Sequence, residues 1–134
     1  MDVRREPSYD VPTVTDAEIV TELMAASPTF AANWRLTDTH YPPSDPATLP
    51  SALYAAASHL QGLVLKDRHR EFAPLLAALE RAYDAATPTQ REIIRRCAIE
   101  TLVYECRELG LDPELFRAHL GPKCRSAWDS VPPS

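Results

Sequence analysis

Residues 71–109, EFAPLLAALERAYDAATPTQREIIRRCAIETLVYECREL, decide the fold. Phe72, Leu75, Leu76, Leu79, Tyr83 and Ala86 recur at three- and four-residue steps, which keeps one face of a helix over 71–86 apolar. Pro74 is compatible with this helix only in its first turn, so the helix must begin near Glu71. Thr87-Pro88 then pairs an N-capping oxygen with proline at the first helical position, and Gln90 completes a capping box with Thr87. The helix so started is expected to run unbroken over 88–109 and to stop at Gly110. Its apolar residues Ile93, Ile94, Cys97, Ala98, Ile99, Leu102, Val103, Cys106 and Leu109 cover most of the helical wheel, the pattern of a central helix contacted from several sides.

Working outward, the same grammar recurs. Ser27-Pro28, Asp45-Pro46 and Asp112-Pro113 read as further helix starts, and Thr15 with Glu18 forms a second capping box. A helix over 16–26 buries Ile19, Val20, Leu23 and Met24, and a short one from Pro28 carries Phe30 and Trp34. Residues 37–50 hold four prolines, His40, Tyr41 and two aspartates and read as a long ordered loop with a turn of helix after Asp45. From Ser51 to Lys66, Leu53, Tyr54, Ala57, Leu60 and Val64 mark an amphipathic helix in which Gly62 signals a close helix crossing or a weak point. A short helix from Pro113 presents Leu115, Phe116 and Leu120; Gly121 is read as its stop, and a last turn docks Trp128 and Val131. Three glycines in 134 residues leave few positions for the tight turns of a β fold. The expectation is an all-α single-domain bundle of five to seven helices over residues 15–134, preceded by a flexible arm at 1–14.

Charge and motif content narrow the function. Lys and Arg number 14 against 19 Asp and Glu, a net charge of -5, which argues against a nucleic-acid surface. The imbalance sits in residues 1–65, where Arg4, Arg5 and Arg35 face eight acidic residues. No apolar run approaches the ~18 residues that span a bilayer, and no secretory leader pattern opens the chain. A cytoplasmic protein is expected, with Cys97, Cys106 and Cys124 as reduced, buried thiols. Glycine-rich phosphate loops, C-x-x-C pairs, H-E-x-x-H and paired Glu-x-x-His are all missing, so no cofactor or metal is expected. His40, His59, His69 and His119 are scattered and read as surface or helix-end residues. Lys66, Arg68, His69 and Arg70, with Arg91, Arg95 and Arg96, interleave with acids and read as solvated helix ends. Glu105 is the one catalytic candidate: on an ideal wheel it falls about 20° from Ile94, inside the apolar sector. A buried carboxylate there would serve as a base or metal ligand, with Glu100, Tyr104 or His119 nearby; a structural ion pair is the plainer reading.

The pattern Phe72-x-x-Leu75-Leu76-x-x-Leu79-Glu80, the long helix ending at Leu109 and the terminal Leu120-Gly121-Pro122-Lys123-Cys124-Arg125-x-x-Trp128 segment resemble small bacterial all-helical proteins of the immunity-protein-candidate type. The resemblance spans Leu53 to Val131 and implies a bacterial cytosolic protein that neutralises a toxin by direct binding. An acidic chain suits a partner whose active site is basic. The contact surface is placed at Asp16, Glu18 and Glu22 on the first helix and Asp38, Tyr41 and Asp45 on the proline-rich loop, with helix capping as the alternative role of these acids. A helical adaptor and a small enzyme built on Glu105 stay open as other readings.

Overall fold

The computed structural model describes residues 14–37, 45–66 and 69–133. They form an all-α bundle: α1 (Asp16–Ala26), α2 (Pro28–Thr37), α3 (Thr48–Leu65), α4 (Phe72–Ala85), α5 (Pro88–Ile94), α6 (Glu100–Leu109), α7 (Glu114–Arg117) and α8 (Pro122–Asp129). Residues 1–13, most of the expected arm, and 38–44 of the expected loop lie outside the described residues.

The capping signals act where the sequence places them. Thr15 Oγ1 accepts from the Glu18 amide at 3.1 Å while Glu18 Oε1 accepts from the Thr15 amide at 2.8 Å. Thr87 and Gln90 repeat the arrangement at α5, at 3.1 Å both ways. Ser27 Oγ accepts from the Phe30 amide, Asp45 Oδ1 from Ala47 and Asp112 Oδ1 from Glu114. α3 nevertheless starts at Thr48, three residues before its expected start and inside the expected loop. Pro50 fits there because first-turn amides have no intrahelical acceptor to lose.

α3 is the centre of the molecule. Leu49, Ala52, Leu53, Ala56 and Leu60 are fully enclosed by α1, α2 and the long helix that follows α4. α4 is covered by α1 on one side and α8 on the other. Phe72, at the start of α4, packs on Phe116 of α7 with ring centroids 5.1 Å apart, so the ends of α3 and α6 lie at the same end of the bundle. Each fully buried leucine or phenylalanine contributes about 1.5–3 kcal/mol relative to exposure.

Two expectations are corrected here. The helix over 88–109 is interrupted: Arg95–Ile99 forms a π-turn that separates α5 from α6, in which the Glu100 amide donates to the Arg95 carbonyl five residues back. A π-turn takes up one extra residue, so everything beyond it is rotated back by about 100° relative to an ideal α-helix. On an ideal wheel Ile94, Ala98, Leu102 and Cys106 drift through about 120°; the phase jump brings them back onto one buried side. The wide apolar sector read from the sequence is a narrow one with a phase jump in it. The second correction concerns glycines. Gly110 does end α6, at φ 68°, with its amide bonded to the Cys106 carbonyl. Gly121 is no helix stop: it has extended backbone and opens α8. A Cβ at Gly121 would lie 2.4 Å from both Cγ and Cδ of Glu80. Gly62 faces open space, so it marks no close crossing.

Candidate functional site

α2 carries two polar residues one turn apart, Thr29 and Asn33, on the side that meets α3 at His59. Thr29 Oγ1 lies 2.8 Å from His59 Nε2 and donates to Glu71 Oε1 at 2.7 Å; Asn33 Nδ2 lies 3.1 Å from His59 Nδ1. The hydroxyl has a single proton and Glu71 takes it, so Thr29 must accept from a protonated Nε2. Nδ1 is then the bare nitrogen and accepts from the Asn33 amide. One neutral tautomer satisfies all four side chains. The Phe30 ring is tilted against the imidazole at 6.0 Å, and a cavity of about 270 Å³ beside it is lined by Phe30, Asn33, Trp34, Ala55, Ser58 and His59. Burial lowers the His59 pKa below the ordinary histidine value; Glu71 pulls the other way and Lys66 adds to the lowering.

The hydroxyl–imidazole–carboxylate trio has the residue types of a hydrolytic triad, wired in another order. In a triad the acid holds Nδ1 and the imidazole accepts the hydroxyl proton. Here the acid accepts from the hydroxyl directly and the imidazole donates to it, so the imidazole is not the base of Thr29, and the relay cross-links α2, α3 and the turn at His69–Glu71. Spacing gave no warning of it, since Thr29 and His59 are 30 residues apart. The available signal was the polar Thr29/Asn33 pair at helical spacing beside Phe30 and Trp34.

Glu105 stands on the flank of α6 because the π-turn rotates it out of the core sector. Its side chain is half-buried, and Oε1 is enclosed with no hydrogen-bond partner among the described residues. Burial raises its pKa, and Glu108 adds to the rise. The groups that would assist it engage elsewhere: Glu100 accepts from Arg95, Tyr104 lies under the Arg107 guanidinium at 5.6 Å, and His119 sits edge-on to Phe72. The cleft near the end of α6, about 410 Å³, is lined by Val103, Cys106, Arg107, Gly110, Leu111, Pro113 and Trp128, without Glu105.

The acidic residues assigned to a contact surface already hold internal partners. Asp16 Oδ1 accepts from Gln90 at 2.9 Å, the same buried amide that reaches the Val14 carbonyl at 3.0 Å. Glu18 closes its capping box, Glu22 pairs with Arg81 at 3.3 Å, and Asp45 caps the turn before α3. Asp38 and Tyr41 lie outside the described residues. Asp16, Glu18 and Glu22 share α1, with Asp45 on a separate turn.

Of the basic residues read as solvated ends, Arg70 and Arg96 are exposed while Arg91 and Arg95 are engaged, as are Arg117 and Arg125 further on. Arg91 donates to the Tyr83 and Asp84 carbonyls that finish α4, Arg95 forks onto Glu92, Arg117 onto Asp129, and Arg125 onto the Arg117 and Ala118 carbonyls. Lys123 pairs with Asp84. Hydrogen bonds from Arg95 and Arg117 depress the pKa of Glu92 and Asp129 respectively. All three cysteines are free and buried; burial pushes the Cys97 thiol up, and the Tyr54 hydroxyl beside it partly offsets this. Among the described residues no helix is long and apolar enough to cross a membrane. No protein-family model, curated protein or solved structure matches the chain.

Proposed function

We propose that this chain is a non-enzymatic protein-binding protein of the immunity type, which neutralises a toxin with a basic active site by covering it. The observation that carries the reading is the way charge is spent: Arg81, Arg91, Arg95, Arg107, Arg117 and Arg125 are folded back onto the chain's own carboxylates and carbonyls. The chain as a whole keeps a net charge of -5, and Tyr54 and Tyr104 are about half exposed. Such a field speeds association with a basic surface, and exposed tyrosines supply contact area at low entropic cost. Asp16, Glu22 and Asp45 each commit a single oxygen internally among the described residues, so the other oxygen is available to a partner's cation.

The test is to express the product of the adjacent reading frame with and without this chain. Restored growth together with a stoichiometric complex whose association slows steeply with salt is the expected result. Growth that stays arrested, or is restored without any complex by size-exclusion chromatography with light scattering, overturns the proposal.

A further inference from the structure

We infer that the Asn33–His59–Thr29–Glu71 relay is an acid-released latch: it holds α2 against α3 while the imidazole is neutral, and protonation at Nδ1 breaks the Asn33 contact and frees the α2 wall of the Phe30/Trp34 cavity. With Nε2–H committed to Thr29 and the Thr29 proton committed to Glu71, Nδ1 is the one imidazole position left to take a proton. A proton on Nδ1 sets two donors, Nδ1–H and Asn33 Nδ2–H, facing each other at a 3.1 Å separation. Withdrawal of α2 relieves it and opens the latch; an Asn33 amide that turned over in place would offer Oδ1 to Nδ1–H and leave Trp34 where it is, which is the outcome that overturns the inference. Among the described residues the charged groups facing the imidazole are Glu71 from the turn before α4, which favours the cation, and Lys66 from the end of α3, which opposes it. From α2 the groups against the imidazole are the neutral Thr29 and Asn33 and the Phe30 ring, and the one charged residue of that helix, Arg35 in its last turn, is a cation that does not favour protonation.

Burial places the folded-state pKa of His59 below the unfolded value of 6.5. The unfolded or opened chain therefore binds the proton first. The latch is fully set above pH 6.5 and is lost as pH falls through the folded value. Release is local, because the Leu53–Leu60 core of α3 does not depend on the relay.

The experiment is a proton NMR titration of the full chain from neutral to acidic pH. It follows the His59 Cε1–H, assigned by its loss in His59→Gln, and the Trp34 indole N–H. The expected result is a His59 midpoint below 6.5 and a Trp34 shift with the same midpoint, with exchange protection of α2 amides falling by at most about tenfold per pH unit, the limit for one proton. Asn33→Asp, which offers Nδ1–H a carboxylate, should move the midpoint upward and keep Trp34 in place. A wild-type His59 midpoint at or above 6.5, or a Trp34 resonance that ignores it, overturns the inference; both readouts come from the unmodified chain.

Discussion

Replacing Glu80 by alanine should unfasten α8 from the bundle. The first turn of α8 has no side-chain cap of its own, because Gly121 occupies that position. Glu80, 43 residues earlier on α4, does the capping instead: Oε2 accepts from the Lys123 amide at 3.1 Å and Oε1 from the Cys124 amide at 2.9 Å. Hydrogen bonds to a charged acceptor are worth about 1.5–3 kcal/mol each when buried, and an N-cap at a half-exposed helix start about 0.5–2 kcal/mol. With Glu80 half-exposed and water able to replace one of the two, the loss should be about 2 kcal/mol, roughly 6–10 °C in Tm for a domain of this size. Gly121→Ala should cost nearly as much by another route, since its Cβ would sit 2.4 Å from Glu80 Cγ and Cδ and must push the carboxylate off the amides. The two losses are the same loss. In a double-mutant cycle by urea denaturation, Gly121→Ala on the Glu80→Ala background should cost less than about 0.5 kcal/mol, leaving a coupling of about 1.5 kcal/mol. Equal costs of Gly121→Ala in both backgrounds would refute the account and place the constraint in the Gly121 backbone.

Two further outcomes follow from the same packing. Gly62→Ala should stabilise by about 0.5–1 kcal/mol, because a Cβ there meets nothing and the helix gains propensity; a neutral or negative change in the urea midpoint would show that the open space is filled in solution. Burial pushes the Cys106 thiol up to about 11 and the Cys124 thiol further, so both are held neutral by the fold. Their raised values mean that stability is intact below 9.0 and is lost as pH rises toward 11, and that Ellman's reagent at pH 8 should label these two thiols only at the rate of unfolding.

What the sequence disclosed was whatever depends on near neighbours. Thr15 with Glu18, Thr87 with Gln90, and the Ser27, Asp45 and Asp112 oxygens ahead of prolines are local contacts, and the structure makes every one. The all-α bundle followed from them and from the stripe on α4. The π-turn was hidden because a wheel drawn at a constant about 100° per residue cannot register a phase jump, and the scattered apolar sector of 88–109 was its trace. The same jump moved Glu105 from the core sector to the flank. Glu80 over α8 and His59 against α2 were invisible for a different reason: each joins residues 30 or more positions apart, and no periodicity encodes which loop or helix start a side chain will reach. The acids expected at a contact surface were legible as charge alone; the four that are described, Asp16, Glu18, Glu22 and Asp45, all have structural partners.

The π-turn at 95–99 also says where this chain tolerates a change in length. Elsewhere in a buried helix, removing one residue turns all that follows by about 100° and carries its apolar side chains out of the core. Between Arg95 and Ile99 a deletion of one residue would convert the five-residue bond into an ordinary four-residue one and leave Leu102, Val103 and Cys106 facing where they face now. This segment is the molecule's expansion joint, the one stretch of its long helix at which shorter and longer versions of the sequence can share a single core.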